Sequence, residues 1–188
     1  FVLRALDGYT AVLRGARVFE PGGVVAFEDL EVPAWELIGR QRAHPGPLYL
    51  VWAKPEQQSL ETHPRPWQLA SIEIVAFEVA FSALVPTGLA EDDPAWRGLA
   101  TFREHCTHCH AINRQGGKVG PELNVPRNIL EYRERAQLRA FIADPGSFRD
   151  SAMPPHGFLG PPDFDDLFAY LAAMGTRKLP VTPGGTAP

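Results

Sequence analysis

The chain has 188 residues, enough for one large domain or two of roughly 90–100 residues each. Hydrophobic residues at 45% and charged residues at 21% exclude a disordered chain, and a count of two cysteines excludes a disulfide scaffold. The net charge of −4 argues against non-specific nucleic-acid binding, and no run of about 20 apolar residues is present to span a membrane.

Charge is unevenly shared. Residues 1–93 carry seven Lys/Arg against thirteen Asp/Glu (net −6), and residues 94–188 carry eleven against nine (net +2), which supports two units. In the first, Gly8–Leu13 is a β-prone run, Pro21-Gly22-Gly23 a turn and Val24–Phe27 a second strand. Pro33–Ile38 reads as a short helical turn ended by Gly39, and Leu48–Trp52 as a buried strand. Leu69–Phe81 reads as the longest strand. Ile72, Ile74 and Ala76 share one face, and Phe77, Val79 and Phe81 continue one position out of phase, which predicts a bulge near 75–77.

Glu91-Asp-Asp-Pro94 marks the boundary. Asp93 is placed to cap a helix with Pro94 at its first position, running to about Cys106. Further helices are predicted over 128–132, over 135–143 and from an Asp163 cap through Ala173, stopped by Gly175. The fold class is α+β: a small mainly-β domain over 1–92, an all-α domain over 93–179 and a flexible tail over 180–188. Phe1 is no initiator and no leader pattern opens the chain, so a signal peptide already removed, or residues preceding Phe1, is expected.

Cys106-Thr-His-Cys109-His110 carries the chemistry. C-x-x-C-H is the attachment signature of a c-type haem: two thiols at this spacing reach the two vinyl groups of one porphyrin, and the next residue is a histidine aimed at the iron. Zinc held by Cys106, Cys109, His110 and another histidine competes, but no second cysteine pair completes four ligands. A redox dithiol would want a βαβ setting. A disulfide three residues apart is geometrically awkward.

Around the motif stand Gly98 and Phe102, Leu167 and Tyr170, and Gly120-Pro121-Glu122-Leu123. With these, residues 94–179 resemble the class I cytochrome c family. The resemblance implies that the first and last helices cross at Gly98, with Phe102 and Tyr170 beside the crossing. It implies that a carbonyl of the Gly120–Leu123 loop accepts a hydrogen bond from His110, fixing its tautomer. It also implies a methionine ligand in a proline-rich loop, which selects Met153 of Ser151-Ala-Met-Pro-Pro155 over His156 and Met174. The expected haem site is therefore Cys106, Cys109, His110, Met153, Pro121 and Leu123, with His110 and Met153 on the iron. Phe102, Leu123, Phe141, Phe158, Phe168 and Leu171 are the expected apolar wall. His105 and His108 are expected to be exposed or bonded to loop groups, and His44 and His63 to lie on the surface. Arg127, Arg133, Arg135 and Arg139 read as a solvated face with i,i+4 pairs, with a docking patch or a propionate clamp as the functional alternative.

Asp7-Gly8-Tyr9, Gly46–Trp52 and Pro66–Glu73 resemble segments of the sulfite-oxidase-type molybdopterin-binding fold. Both cysteines belong to the haem motif, so a thiolate-held molybdenum is excluded, and a cofactor-free relic or a generic small β domain remains. The expected function is electron transfer rather than catalysis: a periplasmic carrier of one covalent haem c and its iron, between a dehydrogenase and an oxidase or cytochrome acceptor. A haem subunit of a larger oxidoreductase complex, or a sensor or peroxidase-like site with a labile sixth ligand, is the alternative.

Overall fold

The computed structural model describes residues 1–39, 42–60 and 62–180. The predicted tail, from residue 181 on, lies outside the described residues. The chain opens with β1 (Val2–Ala5), β2 (Thr10–Val12), a single helical turn α1 (Gly15–Val18), β3 (Gly23–Ala26), β4 (Tyr49–Trp52) and β5 (Leu69–Glu73). It continues through α2 (Phe77–Ala80), α3 (Pro94–His105), the ribbon β6 (Ala111–Ile112) and β7 (Gln115–Gly116), α4 (Arg135–Ala143) and α5 (Pro161–Gly175).

β1 is the middle of a three-stranded antiparallel sheet in the order β2-β1-β5. Leu3 lies opposite Ala11 on one side and Ile72 on the other. Successive strand residues face opposite ways, and β1 uses both faces. Leu3 joins Ala11, Leu13, Leu50, Trp52 and Leu69 in one core, beside the antiparallel pair β3–β4. Val2 joins Phe77, Phe81, Leu84, Leu99, Phe102, Tyr170 and Met174 in a second, helical core. Residues on both sides of position 92 therefore share that second core.

Helices α3 and α5 cross at Gly98. A Cβ there would lie 2.0 Å from the Asp166 carbonyl oxygen and 2.6 Å from Tyr170 Cβ, so only glycine permits the approach. Phe102 and Tyr170 pack beside the crossing with ring centroids 5.3 Å apart, and the Tyr170 hydroxyl donates to the Leu84 carbonyl at 2.9 Å. The Asp93 carboxylate accepts the Ala95 N–H at 2.9 Å, as its capping position predicts.

Several expectations change. The strand expected over 69–81 ends at Glu73, and Phe77 begins a helical turn. Phe77 and Phe81 pack with ring centroids 5.1 Å apart, so these aromatics follow the i,i+4 spacing of a helix rather than the period two of a strand. Pro33–Ile38 is not helical, because Ala34 and Trp35 have φ of 72° and 70°; Ile38 instead pairs with Ala43. Residues 128–132 form one 3₁₀ turn, Ile129–Glu131, capped by the Asn128 carboxamide oxygen, which accepts the Leu130 N–H. α5 begins at Pro161, with Asp163 in its first turn accepting the Gly160 N–H at 2.7 Å. The second half is not all-α, since the β6–β7 ribbon follows the cysteine motif directly.

Candidate haem-attachment site

α3 delivers the motif. Its last turn runs into Cys106, and the Thr107 N–H and hydroxyl both donate to the Phe102 carbonyl, at 2.9 and 3.0 Å. The Cys109 and His110 N–H groups donate to the Cys106 carbonyl at 3.1 and 2.9 Å, so Cys106–His110 closes as a compact turn. The hairpin β6–β7 then folds back through Asn113 and Arg114, at φ of 50° and 68°. Cβ atoms on Gly116 and Gly117 would lie 2.3 Å from the His110 carbonyl oxygen and 2.2 Å from that of His108, so the hairpin packs onto the motif through bare backbone.

Cys106 and Cys109 are half-buried free thiols. Burial, and then the neighbouring Cys109, pushes Cys106 up to about 12; burial, and then Asp7, pushes Cys109 up to about 11. Among the described residues no group of three or more His, Cys, Asp or Glu is arranged to hold a metal ion.

His110 is fixed by the Gly120–Leu123 loop. Its Nδ1 lies 2.9 Å from the Pro121 carbonyl oxygen. A carbonyl only accepts, so the proton is on Nδ1 and the Nε2 lone pair is left for a ligand. Burial lowers the pKa of His110, against the Pro121 bond that raises it, and favours the neutral ring. A Cβ on Gly120 would lie 2.6 Å from His110 Cε1 and 2.8 Å from Nδ1, so the loop presses on the imidazole where a side chain would displace it. Leu123 is tied in by its N–H to the Ala111 carbonyl at 2.9 Å and packs against the helical core.

Two polar devices hold this loop, and neither is signalled by motif spacing. The Glu122 carboxylate accepts four backbone N–H groups, from Asn113, Arg114, Asn124 and Val125, at 2.7–3.1 Å. The carboxamides of Asn113, Asn124 and Asn128 form a ladder: Asn128 donates to Asn124, and Asn124 to Asn113. Each spends its other amide protons on carbonyls, Leu171 for Asn128, Met174 for Asn124, and Ala83 and Arg177 for Asn113. The ladder ties the loop to the end of α5.

Met153 is half-buried on the loop before α5, its N–H donating to Ser151 Oγ at 3.2 Å. The loop is anchored three residues later, where the buried His156 donates its N–H to the Ile142 carbonyl at 3.0 Å. The His156 ring lies 6.3 Å from that of His105, which precedes Cys106, and 5.7 Å from Phe158. The Met153 loop thus returns to the attachment segment. Of the expected wall, Phe102, Phe168 and Leu171 are fully buried, Leu123 and Phe141 are half-buried and Phe158 is 51% exposed. α4 has no fully buried residue, and its apolar Leu138, Phe141 and Ile142 remain half-covered.

The remaining histidines and arginines complete the comparison. His44 is exposed, as expected. His63 is not on the surface: it is buried edge-on to Trp52 at 4.9 Å and bonded to Thr62. His108 stacks on Tyr9 at 5.7 Å and 12°. Arg127 pairs with Glu131, while Arg133, Arg135 and Arg139 rest against the rings of Tyr132, Phe168 and Phe164.

The donor set fits haem c: two free thiols at C-x-x-C spacing, one imidazole with Nε2 free, a glycine pressed on that imidazole and a half-covered apolar helix face. A family model described as cytochrome C oxidase, cbb3-type, subunit III, matches residues 93–171. No curated protein and no solved structure matches the chain. No helix among the described residues is long and apolar enough to cross a membrane. The family match supports a c-type cytochrome segment over residues 93–171, and such a segment implies covalently bound haem c with its iron, and redox partners to exchange electrons with.

Proposed function

We propose that the protein is a periplasmic electron carrier holding one haem c, which takes single electrons from a dehydrogenase and passes them to an oxidase or another cytochrome. The observation that carries this reading is the His110 Nδ1–Pro121 bond directly after the paired thiols of Cys106 and Cys109. Cys106 and Cys109 hold the ring through their sulfurs, His110 presents Nε2 and Met153 supplies a thioether from the far loop. Leu123, Leu138, Phe141 and Ile142 keep water from the ring. Bound there, the haem supplies a ferrous/ferric couple, whose potential rises with a methionine ligand and an apolar pocket. The first half is read as a cofactor-free docking and supporting unit, since its residues Val2, Phe77, Phe81 and Leu84 pack into the core of the helical half.

The test is direct. Denaturing gels should retain haem on the chain, at a mass one haem above the polypeptide. Met153→Ala should remove the methionine–iron charge-transfer band and lower the potential, while Met174→Ala should leave the band in place. Free thiols at Cys106 and Cys109 in the mature protein would overturn the reading, and an unchanged Met153→Ala spectrum would overturn the ligand assignment.

One observation favours a second reading, a haem subunit of a larger oxidoreductase. No residue from 18 to 39 is buried, and Phe27 and Leu30 are 74% and 92% exposed. That stretch also contains five acidic residues and no Lys or Arg. Apolar surface of this kind marks an interaction site, and its charge suits a basic partner.

A further inference from the structure

The turn between β1 and β2 does more than join two strands. The Thr10 N–H, on the outer edge of β2, donates to the His108 carbonyl at 3.1 Å, inside the cysteine motif. The Gly8 carbonyl accepts the Lys118 N–H at 3.0 Å, just beyond the β6–β7 ribbon. Gly8 has φ of +90°, and a Cβ there would lie 3.1 Å from Lys118 Cβ, so glycine lets the turn reach that loop. Between these two bonds the Tyr9 ring stacks on the His108 ring at 5.7 Å and 12°.

The turn is itself braced. Asp7 accepts the Tyr9 N–H on one oxygen at 2.8 Å and the Trp67 indole N–H on the other at 3.0 Å. The Ala5 N–H donates to the Tyr9 carbonyl at 2.9 Å. Residues 7–10 thus hold the segment on both sides of Cys109 and cover it with an aromatic ring. The Ala5–Tyr9 bond continues the β1–β2 register, whereas the bonds to His108 and Lys118 lie outside the pairing of β1 with β2 and β5.

We propose that residues 7–10 are a clasp that fixes the haem-attachment segment and shields its Cys109 side from water, which makes Tyr9 a positioning residue for the redox centre. The proposal rests on the haem reading above. Its consequence is electrostatic. Ferric iron carries one more positive charge than ferrous iron, so water admitted beside the ring favours the ferric form and lowers the potential. The first half of the chain then tunes the couple, besides offering a surface.

The test uses purified holoprotein. Midpoint potential and thermal unfolding are measured for the wild type, Tyr9→Ala, Tyr9→Phe and the exposed control Leu30→Ala. Tyr9→Ala should lower the potential, and Tyr9→Phe, which keeps the ring, should restore it to the wild-type value shown by the control. A Tyr9→Ala protein that melts earlier at an unchanged potential overturns the clasp, because a merely structural role moves stability alone. A Tyr9→Phe shift as large as that of Tyr9→Ala overturns it too. If Tyr9→Ala yields no folded holoprotein, Tyr9→Leu is judged by the same criterion. A wild-type chain without covalent haem overturns the underlying reading and the clasp together, whereas haem-bearing variants with unmoved potentials overturn only the clasp.

Discussion

A methyl group on Gly98 would collide with the backbone of α5, and backbone cannot rotate away as a side chain does. Gly98→Ala must therefore part α3 from α5, costing about 1–3 kcal/mol by overpacking. The urea midpoint should fall with the slope unchanged, and a wild-type midpoint would show that the crossing relaxes freely. This glycine was legible because the family resemblance assigns it a role together with Phe102 and Tyr170. The asparagine ladder was not. Asn113, Asn124 and Asn128 read in sequence as turn and cap residues, and their protons find acceptors only once α5 has brought Leu171 and Met174 beside the loop. Asn124→Ala should leave a buried Asn128 amide proton without its acceptor, while the Asn113 oxygen keeps the Leu179 N–H and the Met174 carbonyl keeps the Arg177 N–H, a loss of about 1–3 kcal/mol. Chemical denaturation of the haem-loaded protein measures it.

Among the elements, α3 could be read from its Asp93 cap and Pro94, and α4 and α5 from the prolines and glycine that bound them and from a length that lets a period show. The four-residue pieces could not. In Phe77-Glu-Val-Ala-Phe81 the apolar positions suit both periods, and the contact between the two phenylalanines decides for the helix. β1 has four residues, and its pattern means little until β2 and β5 flank it. α4 has a sequence that calls for cover and a structure that provides half of it. Its amides should therefore exchange faster than those of α3 and α5 in a Cys106→Ala/Cys109→Ala protein, which cannot attach haem, and slow in the holoprotein. Hydrogen exchange read by mass spectrometry gives the comparison; equal protection of α4 in both forms would place the ring elsewhere.

At the scale of the molecule, composition and charge suggested two units, and the packing joins across the seam. Val2, Phe77, Phe81 and Leu84 stand in the same core as α3 and α5. Burying a phenylalanine contributes about 3–5 kcal/mol over alanine, against a total stability of about 5–15 kcal/mol for a typical domain. Residues 93–179 expressed alone should thus melt far below the full chain and lose much of their cooperativity, with Tyr170 deprived of the Leu84 carbonyl. Calorimetry on the two forms checks this, and a fragment as stable as the parent would show that the helical half packs by itself. Sequence periodicity had no means of announcing this, because it describes each segment's own face and not the identity of what covers it.

The second core also has a bearing on time. It gathers Val2 from the start of the chain and Met174 from near its end, with the cysteine turn midway between. Contacts of such separation form late, after most of the loop-closure entropy has been met. Until α5 arrives the two thiols are on an open polypeptide, within reach of an attaching enzyme and of oxidants alike. Once it has docked Cys106 packs against this core, and both thiols are half-buried, with burial raising their pKa values. Maturation therefore has a window that the protein's own folding closes, and variants that fold faster should leave more of the chain without its pigment.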